Sequence, residues 1–402
     1  MPPRNIAGAP ARGPDFWGRE RDVEAVWKLL ERGSVLLTAP RRWGKSSLMY
    51  ALHDQPWPAW SVRQLDVEYV ETPAQFLTEL AANLLQLDPV LGVFKKTREL
   101  PTSLVRWVSG ALSEVEVGAL GDLKLKLRDS LRDEQWPELA EQLLGQLQRL
   151  EGSLLIVIDE FPMMVDTFLD KDQEGCLRFL RWVRAQRRPQ QGLMLRFLLG
   201  GSVNIEPRLE RLAQEAVLND LERFQLQPLP LDRAIEFVTE VLKGESVPFE
   251  EGTPRKIVET AGTGVHFFLQ VLINECMSEM RQQRWPRLLV EHIQPAYESR
   301  VLGPPNRARF SHYHSRLKSN YGALEEPARL LLAELARAPV SNVDELRMVL
   351  LRHGLDKVEL DDLVARLESD YYVTRSGGEV RFHSNFLKDW WLRNAPGIRR
   401  KP

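Results

Sequence analysis

The chain has 402 residues, enough for two or three domains with separate cores at roughly 100–200 residues per domain. Its 54 Lys and Arg nearly balance 56 Asp and Glu, for a net charge of -2, so the overall charge argues for neither a nucleic-acid nor a membrane partner and leaves such contacts to local patches. Two cysteines, Cys176 and Cys276, lie far apart without Cys or His at metal-ligand spacing, so neither a disulfide framework nor a zinc site is indicated and a reducing cytoplasm is the default expectation. The N-terminus lacks the apolar core of a secretory signal, and no run approaches the ~18 apolar residues needed to span a bilayer, so a soluble, cytoplasmic protein is expected.

Residues 1–15, with Pro2, Pro3, Pro10 and Pro14, read as a flexible arm. Val23, Val26, Trp27, Leu29 and Leu30 then recur at helical spacing until Gly33. An apolar run, Val35-Leu36-Leu37, breaks into Thr38-Ala39-Pro40-Arg41-Arg42-Trp43-Gly44-Lys45-Ser46-Ser47 and re-emerges as a helix from Lys45. This is the order of a phosphate-binding P-loop: a strand aims the loop, backbone N–H groups and the helix terminus cradle phosphates, Lys45 meets the β/γ charge and Ser46 offers a hydroxyl to Mg²⁺. It departs from the usual pattern in having Ala39 for the first glycine, and Pro40 removes one N–H donor.

A strand is expected from Trp60 to Val70 and a helix from Pro73 to Leu87. Residues 88–150 read as an insertion. In it Val115 and Val117, the turn from Gly118 to Asp122, and Leu123, Leu125 and Leu127 alternating with Lys124 and Lys126 suggest a hairpin before a helix at Trp136–Leu150. Leu154 to Ile158 is a continuous apolar run, as in a parallel strand buried on both faces, and it ends in Asp159-Glu160. A helix at Gly175–Arg188, a strand at Leu193–Leu199 closed by Gly200-Gly201-Ser202, and a last strand near Phe224–Leu229 complete a parallel sheet with helices on both faces.

From Leu231 to Ser299 the pattern is helical, near Asp232–Leu242, Pro254–Thr260, Val265–Arg281 and Pro286–Glu298, and Gly303-Pro304-Pro305-Asn306 breaks it. Residues 300–321 read as a linker. Helices at Glu325–Ala336, Asn342–His353 and Leu360–Ser369, then a hairpin turning at Ser376-Gly377-Gly378, give the order of a winged helix over 322–395, followed by a basic tail, 396–402.

A P-loop needs a carboxylate for Mg²⁺ and a base for water, so Asp159 is assigned to the metal and Glu160 to water activation. With these partners the sequence resembles the archaeal-type P-loop ATPases of the AAA+/STAND group, a family also found in bacteria. The matching stretches are Phe16-Trp17-Gly18-Arg19-Glu20, Pro40 to Leu48, Ile158-Asp159-Glu160-Phe161-Pro162, Gly201-Ser202 and Asn219-Asp220-Leu221. The resemblance implies a P-loop parallel-sheet core over 16–230, a helical lid over 231–299 and a C-terminal winged helix. It also implies nucleotide contacts from Gly18, Arg19 and Ala39 to Ser47, and Ser202 as a γ-phosphate sensor acting with Lys45 and Glu160. Gly262-Thr263-Gly264-Val265-His266 looks like the lid motif of that family with His266 in the place of its proline, which makes His266 a candidate nucleotide contact.

Arg178, Arg181, Arg184, Arg187 and Arg188 lie mostly three apart and share a helix face. A solvated face, an arginine finger offered to a neighbouring subunit and a polyanion contact all fit, with Arg178, Arg181 and Arg223 as finger candidates. The third helix of the winged helix carries Asp356, Glu359, Asp361, Asp362, Glu368 and Asp370 against Lys357 and Arg366, which opposes a standard DNA-reading role. Arg307, Arg309, His312, His314, Arg316 and Lys318, interleaved with Phe310 and Tyr313, and Arg399-Arg400-Lys401 are the better basic segments. The leading expectation is a Mg²⁺-dependent ATPase switch, slow or partner-stimulated, that moves lid and winged helix toward a protein partner or toward self-association through the ATPase domain. The runner-up is an AAA+ ATPase that assembles on duplex DNA as a transposition, replication or defence helper.

Overall fold

The computed structural model describes residues 1–88, 90, 101–112, 120–147, 150–188, 192–201, 209, 212, 214–303, 306–338, 341–355 and 357–394. Contacts divide the chain into two units. One comprises Arg19–Arg41 and Lys45–Leu226, the other Met1–Gly18, Arg42–Gly44 and Gln227–Pro402. No helix of the described residues is long and apolar enough to cross a membrane.

In the first unit the apolar runs become β1 (Val35–Thr38), β2 (Trp60–Leu65), β3 (Ser153–Ile158), β4 (Met194–Gly201) and β5 (Glu222–Gln225). They form a sheet in the order β2-β3-β4-β1-β5, and every pairing is parallel. Every residue of β3 from Leu154 to Ile158 is buried because helices cover both faces, so an alternating pattern is absent there. Among the covering helices are α1 (Glu20–Arg32), α2 (Lys45–Asp54) and α3 (Pro73–Leu84). The insertion holds α4 (Thr102–Leu112), α5 (Leu120–Asp129) and α6 (Trp136–Leu147), and α7 (Phe161–Lys171) and α8 (Gln173–Gln186) follow β3.

Two expectations for this unit are corrected. Residues 120–127, the second half of the expected hairpin, are helical in α5; residues 113–119 lie outside the described residues. The Leu/Lys alternation misleads because Leu123 and Leu127 are also four apart: both are buried, whereas Leu125 is 57% exposed and Lys124 pairs with Glu79 at 2.6 Å. The second correction is α7, which the reading by motif passed over. Its buried Phe161, Met164, Val165, Phe168 and Leu169 recur at helical spacing, so the signal was present.

The second unit contains α9 (Leu231–Gly244), α10 (Thr253–Ala261), α11 (His266–Gln283) and α12 (Val290–Ala296), the helices expected as a lid. The segment expected as a linker forms α13 (Arg307–Asn320), and α14 (Glu325–Arg337), α15 (Val343–Arg352) and α16 (Leu360–Ser369) follow. A short β6 (Ser341–Asn342) pairs antiparallel with β8 (Glu379–Phe382), which also pairs with β7 (Val373–Ser376), and α17 (Asn385–Asn394) ends the described chain. Phe310 and Tyr313 are not stacking surfaces for bases: both are buried, and Phe310 lies 5.8 Å from Phe386 and 6.1 Å from Phe268. The apolar side of α13 is the physical reason that this stretch is ordered as a helix.

The arm expected to be flexible is also tied down. Arg4 meets the buried Asp15 at 2.6 Å, and the Asn5 N–H donates to Glu245 at 2.9 Å. Trp17 sits 5.6 Å from Phe237 and under the Arg233 guanidinium at 4.5 Å. Proline-rich composition underestimates order where a few charged and aromatic anchors reach a helix surface.

Candidate nucleotide site

Because all strands of the sheet run parallel, their carboxyl ends share one edge, where open α/β sheets place their ligands. Leu37 is in register with Gly200 and Ile158 with Leu199, which sets Asp159, the next residue after β3, beside Gly200. The loop from β1 to α2 leaves this same edge.

In the loop, φ is positive at Arg42 (70°) and Gly44 (99°) but not at Arg41, Trp43 or Lys45. Left-handed backbone at alternate positions of a loop turns its N–H groups toward one concavity, as in an anion-binding nest. Ala39 is outside the left-handed region, so a side chain is accommodated where the usual pattern has glycine. Pro40 lacks an N–H, but positions 41–46 retain theirs.

Lys45 is 5% exposed, and its ammonium donates to the carbonyls of Ala39 (3.1 Å) and Pro40 (3.4 Å). The Ser46 hydroxyl donates to Asp159 Oδ2 at 2.5 Å, joining groups 113 residues apart. Asp159 Oδ1 accepts the N–H of Glu160 at 2.9 Å, and Glu160 itself is left-handed (φ 52°) at the cap of α7. Gly200 leaves room here for the Met49 and Asp159 side chains. A Cβ on it would lie 2.0 Å from Met49 Cε and 3.3 Å from Asp159 Oδ1.

Ser46 and Asp159 offer hard oxygen donors of the kind Mg²⁺ takes, one or two carboxylates with substrate phosphates completing the shell. Among the described residues no group of three or more His, Cys, Asp or Glu could hold an ion unaided. The residues therefore fit Mg²⁺ in company with phosphate oxygens rather than as a standing metal centre.

The other expected site residues have the following surroundings. Ser47 is buried and Arg41 exposed, and Ser202 lies outside the described residues, as does the tail Arg399-Arg400-Lys401. Arg19 is 6% exposed and paired with Asp22 at 2.9 Å; burial pulls its pKa down and Asp22 opposes the shift. In the second unit, His266 begins α11 and its Nε2 donates to the Trp17 carbonyl at 3.0 Å, which requires the Nε2–H tautomer. The ring also meets Phe237 edge-on at 4.6 Å. Gly18 follows with φ 75°, its Cβ position 3.6 Å from Leu229.

The arginine row splits by environment. Arg178 and Arg181 are exposed, as is Arg223 on β5. Arg187 is 7% exposed; it grips Asp220 at 2.7 and 2.8 Å and donates to the Val217 carbonyl, with Arg184 3.7 Å from the same carboxylate. Asp220 is the residue that sequence reasoning passed over. Its place in Asn219-Asp220-Leu221 was noted, but only the fold reveals the buried arginine it serves.

No protein-family model matches the chain, and no curated protein sequence matches it. Solved structures do. The Walker-type ATPase of Pyrococcus abyssi is 17% identical with a TM-score of 0.61, over 97% of this chain and 99% of that one. The ORC2 protein of Aeropyrum pernix, solved in ADPNP–ADP complexes, is 13% identical with a TM-score of 0.51, over 97% of this chain and 94% of that one. With an all-parallel five-stranded sheet, a strand-loop-helix turn at its carboxyl edge, and a second unit of helices with a small antiparallel sheet, the chain has the fold seen in the Pyrococcus abyssi Walker-type ATPase and the Aeropyrum pernix ORC2 protein.

Proposed function

We propose that the protein binds and hydrolyses ATP with Mg²⁺ and uses nucleotide state to change its affinity for a partner. The observation that carries this reading is the 2.5 Å contact between Ser46 and Asp159, which brings together the hydroxyl that follows the buried Lys45 and the carboxylate that follows β3. The nest at Arg42–Gly44 and the N-terminus of α2 supply N–H groups for phosphate oxygens. Lys45 would leave its loop carbonyls for the β/γ-phosphates. Ser46 and Asp159 would hold Mg²⁺, which neutralises developing phosphate charge. Glu160, one residue beyond, would orient and deprotonate water. The exposed Arg178, Arg181 and Arg223 remain the candidates for a contact in trans, and turnover would be slow until such a partner is present. Gly18, Arg19 and His266 are the further candidate nucleotide contacts.

Lys45→Ala is expected to abolish MgATP binding, whereas Glu160→Gln should bind normally and not turn over. Normal turnover in both variants would refute the assignment. A second reading, assembly on duplex DNA, is favoured by α13, whose sequence has Arg307, Arg309, Arg316 and Lys318 and no acidic residue. Arg316, however, is 3.3 Å from Asp370. Gel shift at low salt with ATP tests this reading; absence of a DNA shift there disposes of it.

A further inference from the structure

The middle of the phosphate loop, Arg42–Gly44, belongs to the same unit as α9–α17. Within that unit Trp43 is only 2% exposed, unusual for the tip of a binding loop. Its indole stacks on the His383 ring, centroids 4.8 Å apart and planes 25° from parallel, and meets Tyr371 at 4.9 Å. Tyr313 of α13 lies beside the same indole. Tyr371 and His383 flank the open end of the β7–β8 hairpin. The His383 N–H donates to the Tyr372 carbonyl at 3.0 Å, and the Tyr372 hydroxyl donates to the Tyr313 carbonyl at 2.6 Å, so the walls of the cage are bonded to one another. Neither ring nitrogen of His383 has a hydrogen-bond partner among the described residues. The imidazole is held there by its face. One residue earlier, the Arg42 guanidinium lies over Phe267 of α11 at 4.6 Å.

These anchors fall on Arg42, one of the two left-handed residues of the nest, and on Trp43 between them. Left-handed backbone at a non-glycine residue such as Arg42 is costly and persists where surrounding contacts over-determine it. We infer that the Trp43 cage, built by His383 and Tyr371 of the C-terminal hairpin, is a positioning element that preorganises the phosphate loop and so sets its nucleotide affinity. This inference rests on the ATPase reading and deepens it. Binding is favoured when the loop is ordered before the ligand arrives. By reciprocity, bound nucleotide strengthens the cage by the same factor, so a partner that pulls the hairpin away would loosen the nucleotide.

The test is the equilibrium affinity of the full chain for Mg²⁺ with a non-hydrolysable ATP analogue, measured by calorimetry. Loss of an aromatic partner predicts roughly a five- to tenfold weaker affinity for His383→Ala. His383→Phe, which keeps a stacking face, should restore it. Trp43→Leu should weaken binding similarly, and the double variant with His383→Ala should be no weaker than Trp43→Leu alone. If His383→Ala loses its cooperative melt, Tyr371→Leu replaces it in the same cycle. Equal affinity for wild type and His383→Ala, tighter binding by His383→Ala, or simple addition of the two losses overturns the inference and leaves the ATPase reading intact. Failure of wild type to bind the analogue overturns both.

Discussion

Asp220→Ala separates a structural arginine from the candidate fingers. Arg187 is held by two hydrogen bonds to Asp220 and one to the Val217 carbonyl, and its side chain is 2% exposed. Removing one partner of a buried ion pair costs about 3–5 kcal/mol because the other charge stays desolvated. Here Asp220 is itself 37% exposed and Arg187 keeps its carbonyl, so screening and the surviving bond reduce the expected loss to about 2 kcal/mol. At roughly 2–4 °C per kcal/mol for a unit of this size, the melting temperature should fall by about 4–8 °C in thermal circular dichroism. Asp220→Asn, which keeps one acceptor, should lose about half of that. The acid dependence is also signed. Burial pushes the Asp220 carboxyl up, but the hydrogen bonds and charge of Arg187 outweigh it and the net shift is downward. The contribution is therefore present above the ordinary carboxylate range and lost as pH falls through the lowered value. A melting shift under about 1 °C for Asp220→Ala would refute the anchor.

Other outcomes follow from the same geometry. Burial, then the nearby Arg381, depresses His383 from 6.5 to about 4, so the unfolded chain takes up a proton that the folded chain refuses. Wild type should hold its full stability above about pH 6.5 and lose up to about 3 kcal/mol by pH 4 in urea melts, a loss absent from His383→Phe; parallel pH profiles would contradict this. Gly264→Ala should destabilise by about 1–3 kcal/mol, because its Cβ would lie 2.0 Å from the Leu229 carbonyl oxygen, backbone that cannot swing aside; an unchanged urea midpoint would count against it. Both cysteines are buried, and burial raises the Cys276 thiol, followed by the charges of Glu275 and Glu279. Neither should react with a thiol reagent in the native protein at neutral pH, and both should react in denaturant.

Local chemistry made much of the site readable. An apolar strand, a Gly-Lys-Ser and an acid pair after a second apolar strand each declare themselves over a few residues, because a buried strand and a helix start impose their own patterns. The helices α9 to α11 and the β7–β8 hairpin were legible for the same reason, from apolar spacing and a Gly-Gly turn. Helix α5 was misread because Leu and Lys alternating over five residues satisfy both a two-residue and a four-residue period. Only burial of Leu123 and Leu127 chooses between them.

What the sequence by itself determined is the chemistry at each position: a lysine and a hydroxyl after one apolar run and two carboxylates after another. Tertiary structure alone decided the pairings. It brought Ser46 within 2.5 Å of Asp159, gave the buried Arg187 to Asp220, tied Arg4 to Asp15 and closed His383 over Trp43. Partners separated by tens or hundreds of residues leave no periodic trace in one sequence, since their proximity is fixed by strand order and helix packing rather than by any local propensity.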